Sequence, residues 1–518
     1  MTEHADGVSS HDYFPESTSG CPTFLHDSEW YPLVDGSAYF SHLDEVLADL
    51  GRGDSVLVSG LDVDPSIDLR GHDPGTPGYL ALGERLASSA ANGAQVRVLI
   101  AGKIPARSLP LPSLAGFRDS VRHADQLREW QPQHSASTDP PLADSVLVDW
   151  SGPLVGSNHQ KVTVVDRGGT VTAFVGGVDL VPDRFDAAPH DRLRLDDDRW
   201  GWHDCAVRLR GPAAAQVHDI IAARWDEAAL LPRRLFRRGR PFRLTPLNPS
   251  PAAPTPDAAA PQKRVHSPDV AIRVMRSLPS RKIDSLLPGR RRSWSRLPSS
   301  GFREIHETIV HALAQARRYV YIEDQYLEEF LGGDDEYELY PHLRAAARRG
   351  AKVIMVGSGV RDPEDPGLYL RGINRTLNSD LQRKVVKPLR GDDAEFVVNR
   401  IEHLTVHAKI VLVDDVFACI GSANMFSRSM AGTDSEMATA VATSTDLVRD
   451  LRVQLWAEHL RTPLTPDLRD SFRDLDIALG IWLPEWLPRR CPPKTWRETG
   501  SPPGFRPAES VMRTVWPE

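Results

Sequence analysis

Two histidine and lysine pairs occur at equivalent places in this chain of 518 residues. The first pair lies in HQKVTVVD (159 to 166) and the second in HAKIVLVD (407 to 414). In both segments the lysine follows the histidine by two positions, and an aspartate follows it by seven. Residues two apart on a strand point the same way, so each histidine would lie beside a fixed positive charge. Such a pair suits an anionic substrate, above all a phosphate ester.

The candidate catalytic residues are the six polar positions of the repeated segment: His159, Lys161, Asp166, His407, Lys409 and Asp414. The aspartates have the opposite strand parity to the histidines. We expect them to form hydrogen bonds near the strand ends, while the histidines and lysines carry the chemistry. One HxK segment is usually incidental, whereas the full pattern in two repeats indicates a site.

A turn of small residues follows each copy. In CIGSANM, Ser422 and Asn424 can offer backbone N–H groups and an amide to phosphate oxygens. Gly177 and Asp179 occupy the corresponding places in FVGGVDL, and these four are the candidate substrate-binding residues. If equivalent strand ends of the two halves face each other, one histidine can attack phosphorus while the other protonates the leaving oxygen.

The sequence around these segments repeats in the same order. Each half is predicted to run from a strand through a helix to a second strand, the histidine segment and a final helix. The matching ranges are 55–63 and 319–327, 79–93 and 339–350, 94–102 and 351–359, and 212–228 and 445–460. This alternation predicts an α/β fold with two similar α/β sandwich domains, related by a pseudo-two-fold axis and sharing one active site.

The length and a proline-rich stretch predict the domain boundaries. A chain of this size exceeds one ordinary core, and TPLNPSPAAPTPDAAAPQ (245 to 262) is typical of an extended linker. The predicted parts are a polar N-terminal segment (1–29), an N-terminal domain (30–244), a Pro/Ala-rich linker (245–268), a C-terminal domain (269–461) and a Trp/Pro-rich tail (462–518).

Composition limits the possible roles. The formal net charge of −8 argues against a dedicated nucleic-acid binder. The four cysteines include no CxxC pair, so no zinc site or disulfide framework is indicated, and we expect no metal or other cofactor. The N-terminus lacks the apolar region of a signal peptide, and no apolar run approaches the roughly 20 residues that span a bilayer. We expect a cytoplasmic monomer.

The repeated segments resemble the signature of the phospholipase D superfamily, which is HxKxxxxD followed by GSxN or a related turn. The second copy matches in full, including the six residues between Asp414 and Gly421, whereas the first has GGVD in place of GSxN. Further segments are similar to the eukaryote-like and cardiolipin synthase-like branches of that superfamily: WHDCAVRLRGPAA (202 to 214), YIEDQYL (321 to 327), SRSMAGTDSE (427 to 436) and LRVQLWAEHL (451 to 460).

This resemblance implies a two-step phosphodiester exchange without a metal. His159 would be the nucleophile that forms a phosphohistidine, and His407 would act first as general acid and then as general base. Water or a small alcohol would accept the phosphoryl group. The resemblance also implies that Asp204 orients His159 and that Glu436 orients His407.

By the same resemblance the substrate is a glycerophospholipid at a membrane surface, met peripherally from the inner face. Arginine-rich stretches at 233–243 and 289–296 are candidates for contact with anionic headgroups. The tryptophans of the tail, Trp482, Trp486 and Trp496, are candidates for interfacial anchors. Solvated linker flanks and core packing are the alternative interpretations of these two features.

Other functions stay open at this point. A nuclease or a cardiolipin synthase-like transferase would use the same residues, and a nuclease would show a basic groove lined with aromatic side chains. A non-catalytic lipid-binding protein is a third hypothesis. The net acidity argues against a nucleic-acid partner, and the intact histidines and lysines argue against a non-catalytic protein.

Overall fold

Two mixed β-sheets, one from each half of the chain, frame the protein. A computed structural model describes residues 10–16, 22–102, 116–133, 137–149, 156–190, 201–229, 269–279, 301–327, 335–358, 384–385, 387–389, 394–401, 404–425, 429–460, 464–482 and 505–507. The predicted linker, both arginine-rich stretches, Trp486 and Trp496 lie outside these residues, as does the side chain of Trp482. The domain boundaries therefore stay predictions.

The N-terminal half forms a seven-stranded sheet in the order β1-β8-β6-β5-β2-β3-β4. Its strands, with the short β7, are β1 (Glu29–Val34), β2 (Ser55–Gly60), β3 (Gln95–Ala101), β4 (Val146–Asp149), β5 (Val162–Arg167), β6 (Thr170–Gly176), β7 (Gly201–His203) and β8 (Cys205–Arg210). Its helices are α1 (Asp35–Leu47), α2 (Leu82–Ala91), α3 (Gly116–Glu129) and α4 (Pro212–Ala229).

The C-terminal half forms a nine-stranded sheet in the order β10-β9-β17-β16-β15-β11-β12-β13-β18. Its strands, with the short β14, are β9 (Val270–Leu278), β10 (Phe302–Arg303), β11 (Tyr319–Glu323), β12 (Lys352–Ser358), β13 (Phe396–Ile401), β14 (Leu404–Val406), β15 (Ile410–Val413), β16 (Phe417–Gly421), β17 (Glu436–Thr443) and β18 (Phe505–Pro507). Its helices are α5 (Glu304–Gln315), α6 (Tyr340–Arg348), α7 (Leu447–His459), α8 (Pro466–Arg473) and α9 (Leu475–Trp482).

The two sheets follow one topology. Seven neighbouring strands of the second sheet, β9-β17-β16-β15-β11-β12-β13, repeat the order of the first sheet strand for strand. The helices α2 and α6 end before Gly93 and Gly350, whose φ angles of 95° and 97° suit a residue without a side chain. The predicted α/β repeat is confirmed.

A shared core joins the halves. Branched apolar side chains from both sheets pack around α4 and α7, and the largest are Trp225 and Trp456, both buried. Burial of each such ring contributes roughly 2–3 kcal/mol. Two outer cores cover the opposite sheet faces, one in each half. The short strands β7 and β14 also pair in parallel across the boundary, so the halves contact each other beside the histidine segments.

Two terminal regions differ from the expected pattern. The N-terminal segment lies on the C-terminal half, where Tyr13 and Phe14 enter the outer core and Leu25 pairs with Ile272. The predicted irregular tail begins with the helices α8 and α9, and Phe472 of α8 enters the shared core. Few residues of the N-terminal segment are apolar, and the tail is rich in tryptophan and proline, so neither composition predicted these contacts. None of the helices described is long and apolar enough to cross a membrane.

Candidate active site

The two histidine and lysine pairs lie just ahead of their strands, and not within them as the parity argument assumed. The strand β5 begins at Val162 and β15 at Ile410. Each lysine folds back so that its ammonium group donates to the carbonyl oxygen of its own histidine, as Lys161 does to His159 at 3.4 Å. Each pair therefore lies at the edge of its sheet where β5 or β15 begins, and it faces the other half.

Backbone hydrogen bonds anchor each histidine to the opposite half. The amide of His159 donates to the carbonyl oxygen of Ser435 at 2.9 Å, and that of His407 donates to His203 at 2.8 Å. The two pairs are also close enough to act on the same group, since both histidines lower the pKa of Asp179. Both histidine and lysine pairs therefore lie at the boundary between the halves.

The orienting carboxylates are exchanged between the halves. Nδ1 of His159 lies 3.0 and 3.1 Å from the two carboxylate oxygens of Glu436. Nδ1 of His407 lies 2.7 Å from Oδ2 of Asp204. The pairing implied by the resemblance, Asp204 with His159 and Glu436 with His407, is therefore wrong. Asp204 directly precedes β8 and Glu436 begins β17. The starts of these two strands lie at the boundary, so each carboxylate contacts the histidine of the other half.

His407 is held as a neutral base. Burial lowers its pKa to about 3, with help from the charges of Lys409 and Arg184 and against the attraction of Asp204. Despite burial, the hydrogen bond from His407 and the charge of Lys409 keep the pKa of Asp204 at about 2. With Asp204 ionised, the ring proton stays on Nδ1, and Nε2 keeps its lone pair.

Glu436 is bound by two serine hydroxyls as well as by His159. Ser422 donates to Oε2 at 2.5 Å and Ser429 donates to Oε1 at 2.6 Å. Ser422 is fully buried, so its hydroxyl is committed to the carboxylate. The prediction that Ser422 binds substrate is wrong for its side chain, and Ser429 is a site residue that sequence reasoning missed. Its place in SRSMAGTDSE was the available signal.

In the first turn, Asp179 does not offer a hydrogen-bond donor to a phosphate group. Its Oδ2 lies 3.3 Å from Nζ of Lys161 in a buried ion pair. Although burial opposes ionisation, Lys161, Arg184 and the histidines lower the pKa of Asp179 below its usual range. A carboxylate would repel phosphate, so the predicted substrate-binding role of Asp179 is wrong and its role is to balance Lys161. Gly177 leaves room for Asp204, since a Cβ there would lie 2.1 Å from Oδ1 of that carboxylate.

The second turn holds Asn424 close to a further carboxylate, that of Asp324. Asn424 is buried and follows β16. Asp324 accepts hydrogen bonds from the backbone of Tyr326 at 2.9 Å and of Met425 at 2.6 Å. Burial raises the pKa of Asp324 to about 7, against the opposing charge of Lys409. Asp324 lies in YIEDQYL and was not predicted as a site residue.

The motif aspartates lie at the far ends of their strands. Asp414 accepts backbone hydrogen bonds from residues 317, 318 and 319 at 2.7, 2.8 and 2.8 Å. Asp166 accepts one, from Gly169 at 3.0 Å. The expectation of a strand-end role agrees with these contacts, and neither aspartate belongs to the group around the histidines.

An aromatic and cationic stack lies behind His407. The guanidinium of Arg184 lies 3.4 Å from the ring centre of Trp202, and that ring lies 5.1 Å from the ring centre of His407. All three side chains are buried. Sequence reasoning identified the WHD segment but not Arg184, because nothing in the spacing relates the two.

One buried cluster could hold a divalent cation. The ligand atoms of Asp35, His190, His203 and Glu458 lie within 4.8 Å of one another. In this structure they pair among themselves, for example His203 Nδ1 with Asp35 at 2.9 Å. Imidazole and carboxylate groups together suit transition metals and zinc. The four residues come from distant segments, so no metal spacing is visible in the sequence.

The fold and the site are defined by two α/β repeats joined by crossed pairs of histidine and carboxylate. Two family models match the chain: "Phospholipase D" over residues 195–348, and "Cardiolipin synthase, PLD-like domain" over residues 309–458. The chain belongs to the phospholipase D superfamily.

Individual relatives are distant. "Phospholipase D A" of Dictyostelium discoideum is 24% identical over 67% of this chain, and "Phospholipase D alpha 1" of Vigna unguiculata is 24% identical over 86%. The matches span 30% and 68% of the length of those relatives. The crystal structure of phosphatidylserine synthase of Haemophilus influenzae Rd KW20 superposes with a TM-score of 0.51 and 13% identity, covering 85% of this chain and 87% of that one. That likeness concerns the fold.

Proposed function

We propose that the protein is a phospholipase D-type phosphodiesterase and phosphatidyltransferase that acts on glycerophospholipids through a phosphohistidine intermediate. The observation that carries the proposal is the pair of histidines, each with Nδ1 held by a carboxylate of the opposite half. That contact leaves Nε2 of both rings available for chemistry on one phosphate.

In the first step Nε2 of His159 attacks phosphorus, and the bond from phosphorus to the headgroup oxygen breaks. His407, protonated at Nε2, gives its proton to the leaving oxygen. Since the empty site keeps His407 neutral, the negative charge of the bound diester supplies the electrostatic reason for its protonation. Lys161 and Lys409 offset the charge of the transition state.

In the second step His407 removes a proton from water or an alcohol. The resulting oxygen nucleophile attacks phosphorus, the bond from phosphorus to Nε2 of His159 breaks, and the free enzyme returns. Water gives phosphatidic acid, and an alcohol gives a phosphatidyl alcohol. A peripheral approach to the inner face of the membrane and a monomeric state complete the proposal.

A cardiolipin synthase-like transferase is the second candidate, favoured by the family model that matches residues 309–458. The two candidates share every chemical step and differ in the acceptor alcohol. A nuclease is less favoured because the chain is acidic overall.

The test uses the purified protein with vesicles of labelled phosphatidylcholine or phosphatidylglycerol, with and without ethanol. Phosphatidylethanol from either lipid supports the proposal, and cardiolipin from phosphatidylglycerol alone supports the second candidate. His159→Asn should abolish turnover, whereas Asp166→Asn, a change outside the site, should retain it. No exchange with any diacyl lipid together with cleavage of DNA or RNA would contradict the proposal.

A further inference from the structure

The two repeats differ at the position that follows the last glycine of β6 and of β16. The register of the sheets makes Asp204 and Glu436 equivalent, because Ala206 opposes Gly176 and Ala438 opposes Gly421. The residue after each glycine is Gly177 in the first half and Ser422 in the second. Only the second half therefore places a hydroxyl at this position.

The hydroxyl of Ser422 is one of three side-chain groups that contact the carboxylate of Glu436. Ser422 donates to Oε2 and Ser429 to Oε1, while Nδ1 of His159 lies nearly equidistant from both oxygens, at 3.0 and 3.1 Å. The serines and the carboxylate are all at most 1% exposed. Each carboxylate oxygen thus has one hydroxyl donor, and the plane of the carboxylate is fixed relative to the histidine ring.

Asp204 is held differently. Its Oδ1 accepts from the backbone amide of Cys205 at 2.8 Å, and its Oδ2 binds His407. Five residues after Asp179 the first half has Arg184, whereas five residues after Asn424 the second half has Ser429. The carboxylate of His407 is therefore positioned by the backbone and that of His159 by side chains.

Resting on the proposed function, we infer that Ser429, together with Ser422, is a positioning residue that holds His159 in the orientation that its role as nucleophile requires. The two hydroxyls fix the carboxylate of Glu436, and that carboxylate accepts the Nδ1 hydrogen bond of His159. The ring is thereby held with Nε2 directed at phosphorus and its lone pair free. If either hydroxyl is removed, the carboxylate of Glu436 and the ring of His159 can both change orientation.

The test is ¹⁵N NMR of histidine-labelled protein at pH 8, with the His159 signals assigned from their loss in His159→Asn. The parent should show His159 protonated at Nδ1 and unprotonated at Nε2. Ser429→Ala should give averaged signals from both tautomers, while the His407 signals stay in place. Ser429→Thr, which keeps a hydroxyl, should restore the parent pattern. No substrate is needed, so a protein with no lipid activity still decides this inference separately from the proposed function.

The matched control is Ser277→Ala. Ser277 is buried and lies directly opposite Glu436 in the sheet, but its hydroxyl has no hydrogen-bond partner among the described residues. This variant should resemble the parent. On phospholipid, Ser429→Ala should lower kcat by about 10-fold or more with KM nearly unchanged.

Two results would overturn the inference: parent-like His159 signals in Ser429→Ala, or an equal disturbance in Ser277→Ala. If Ser429→Ala does not fold by circular dichroism, Ser422→Ala removes the other hydroxyl and is measured in its place against the same criteria.

Discussion

Nδ1 of His159 lies 3.0 Å from a carboxylate oxygen of Glu436, a residue 277 positions further along the chain. The mirror contact joins His407 to Asp204 at 2.7 Å. Each half therefore provides one histidine and lysine pair, together with one carboxylate that binds the histidine of the other half. The chemistry of either imidazole depends on both halves at once.

The crossed contacts predict which histidine responds to each carboxylate. Glu436→Gln should disturb the ¹⁵N signals of His159, and Asp204→Asn those of His407, because each ring loses the carboxylate charge that favours the proton on Nδ1. Both variants should lower kcat by about 10- to 100-fold or more with smaller effects on KM. The reverse assignment, with Asp204→Asn acting on His159, would contradict the structure.

The charge of Lys409 predicts a basic limit to activity. Burial lowers its pKa to about 8, and Lys161 adds to this effect against the attraction of Asp204, Asp324 and Glu436. The ammonium is charged below that pH and neutral above it, so kcat/KM should fall as pH rises through about 8. Lys409→Arg, whose guanidinium stays charged, should be less active but should lack this limb. If kcat/KM of Lys409→Arg also falls as pH rises through about 8, another group is responsible for that fall.

The strand-end aspartates predict a contrast in stability. Asp414 accepts three backbone hydrogen bonds at a φ of 56°, so Asp414→Ala should lower the free energy of unfolding by roughly 2–4 kcal/mol. Asp414→Asn, which tolerates this backbone conformation and keeps an acceptor, should lose less. Asp166→Ala removes one hydrogen bond and should cost about 1 kcal/mol. Urea unfolding checks the order, and equal losses at the two sites would contradict it.

His306 predicts a loss of stability in acid that is independent of the site. It lies in α5, 9% exposed, and burial lowers its pKa to about 4, with His342 and Arg303 adding to the shift. Between about pH 6.5 and 4 the unfolded chain binds a proton that the folded protein does not, so stability falls as pH falls through this window. The total is about 3 kcal/mol. Urea unfolding at pH 7 and pH 4.5 should show this difference in the parent and a smaller one in His306→Leu.

Much of the fold was predictable because it is recorded twice. Strand order, the glycines after α2 and α6, and the two HxK segments occur at matching offsets, and a repeat reports on structure more reliably than any single segment. The polar N-terminal segment was harder to interpret. Tyr13 and Phe14 are its main apolar anchors, and their partner Phe417 lies in the other half.

The site was predictable in its members but not in its contacts. His159, Lys161, His407 and Lys409 could be predicted as catalytic residues, since their types and spacing follow from the proposed chemistry. The exchange of Asp204 and Glu436 depends on how the halves dock, which no local pattern encodes. The contacts that Ser429 and Arg184 make at the site depend on the same docking of the halves. Asp179 shows the opposite error, because a repeat position was assigned the role of its equivalent, Asn424, although a carboxylate and an amide differ in charge.

The placement of the N-terminal segment on the C-terminal half has a consequence for synthesis on the ribosome. Tyr13 and Phe14 stack near Phe417, about 400 residues later in the chain. At 5–20 residues per second, that partner is made about 20 to 80 s after the segment itself. The N-terminal segment is thus synthesised well before its packing partners, and until they are made it exposes two aromatic rings that a chaperone can bind.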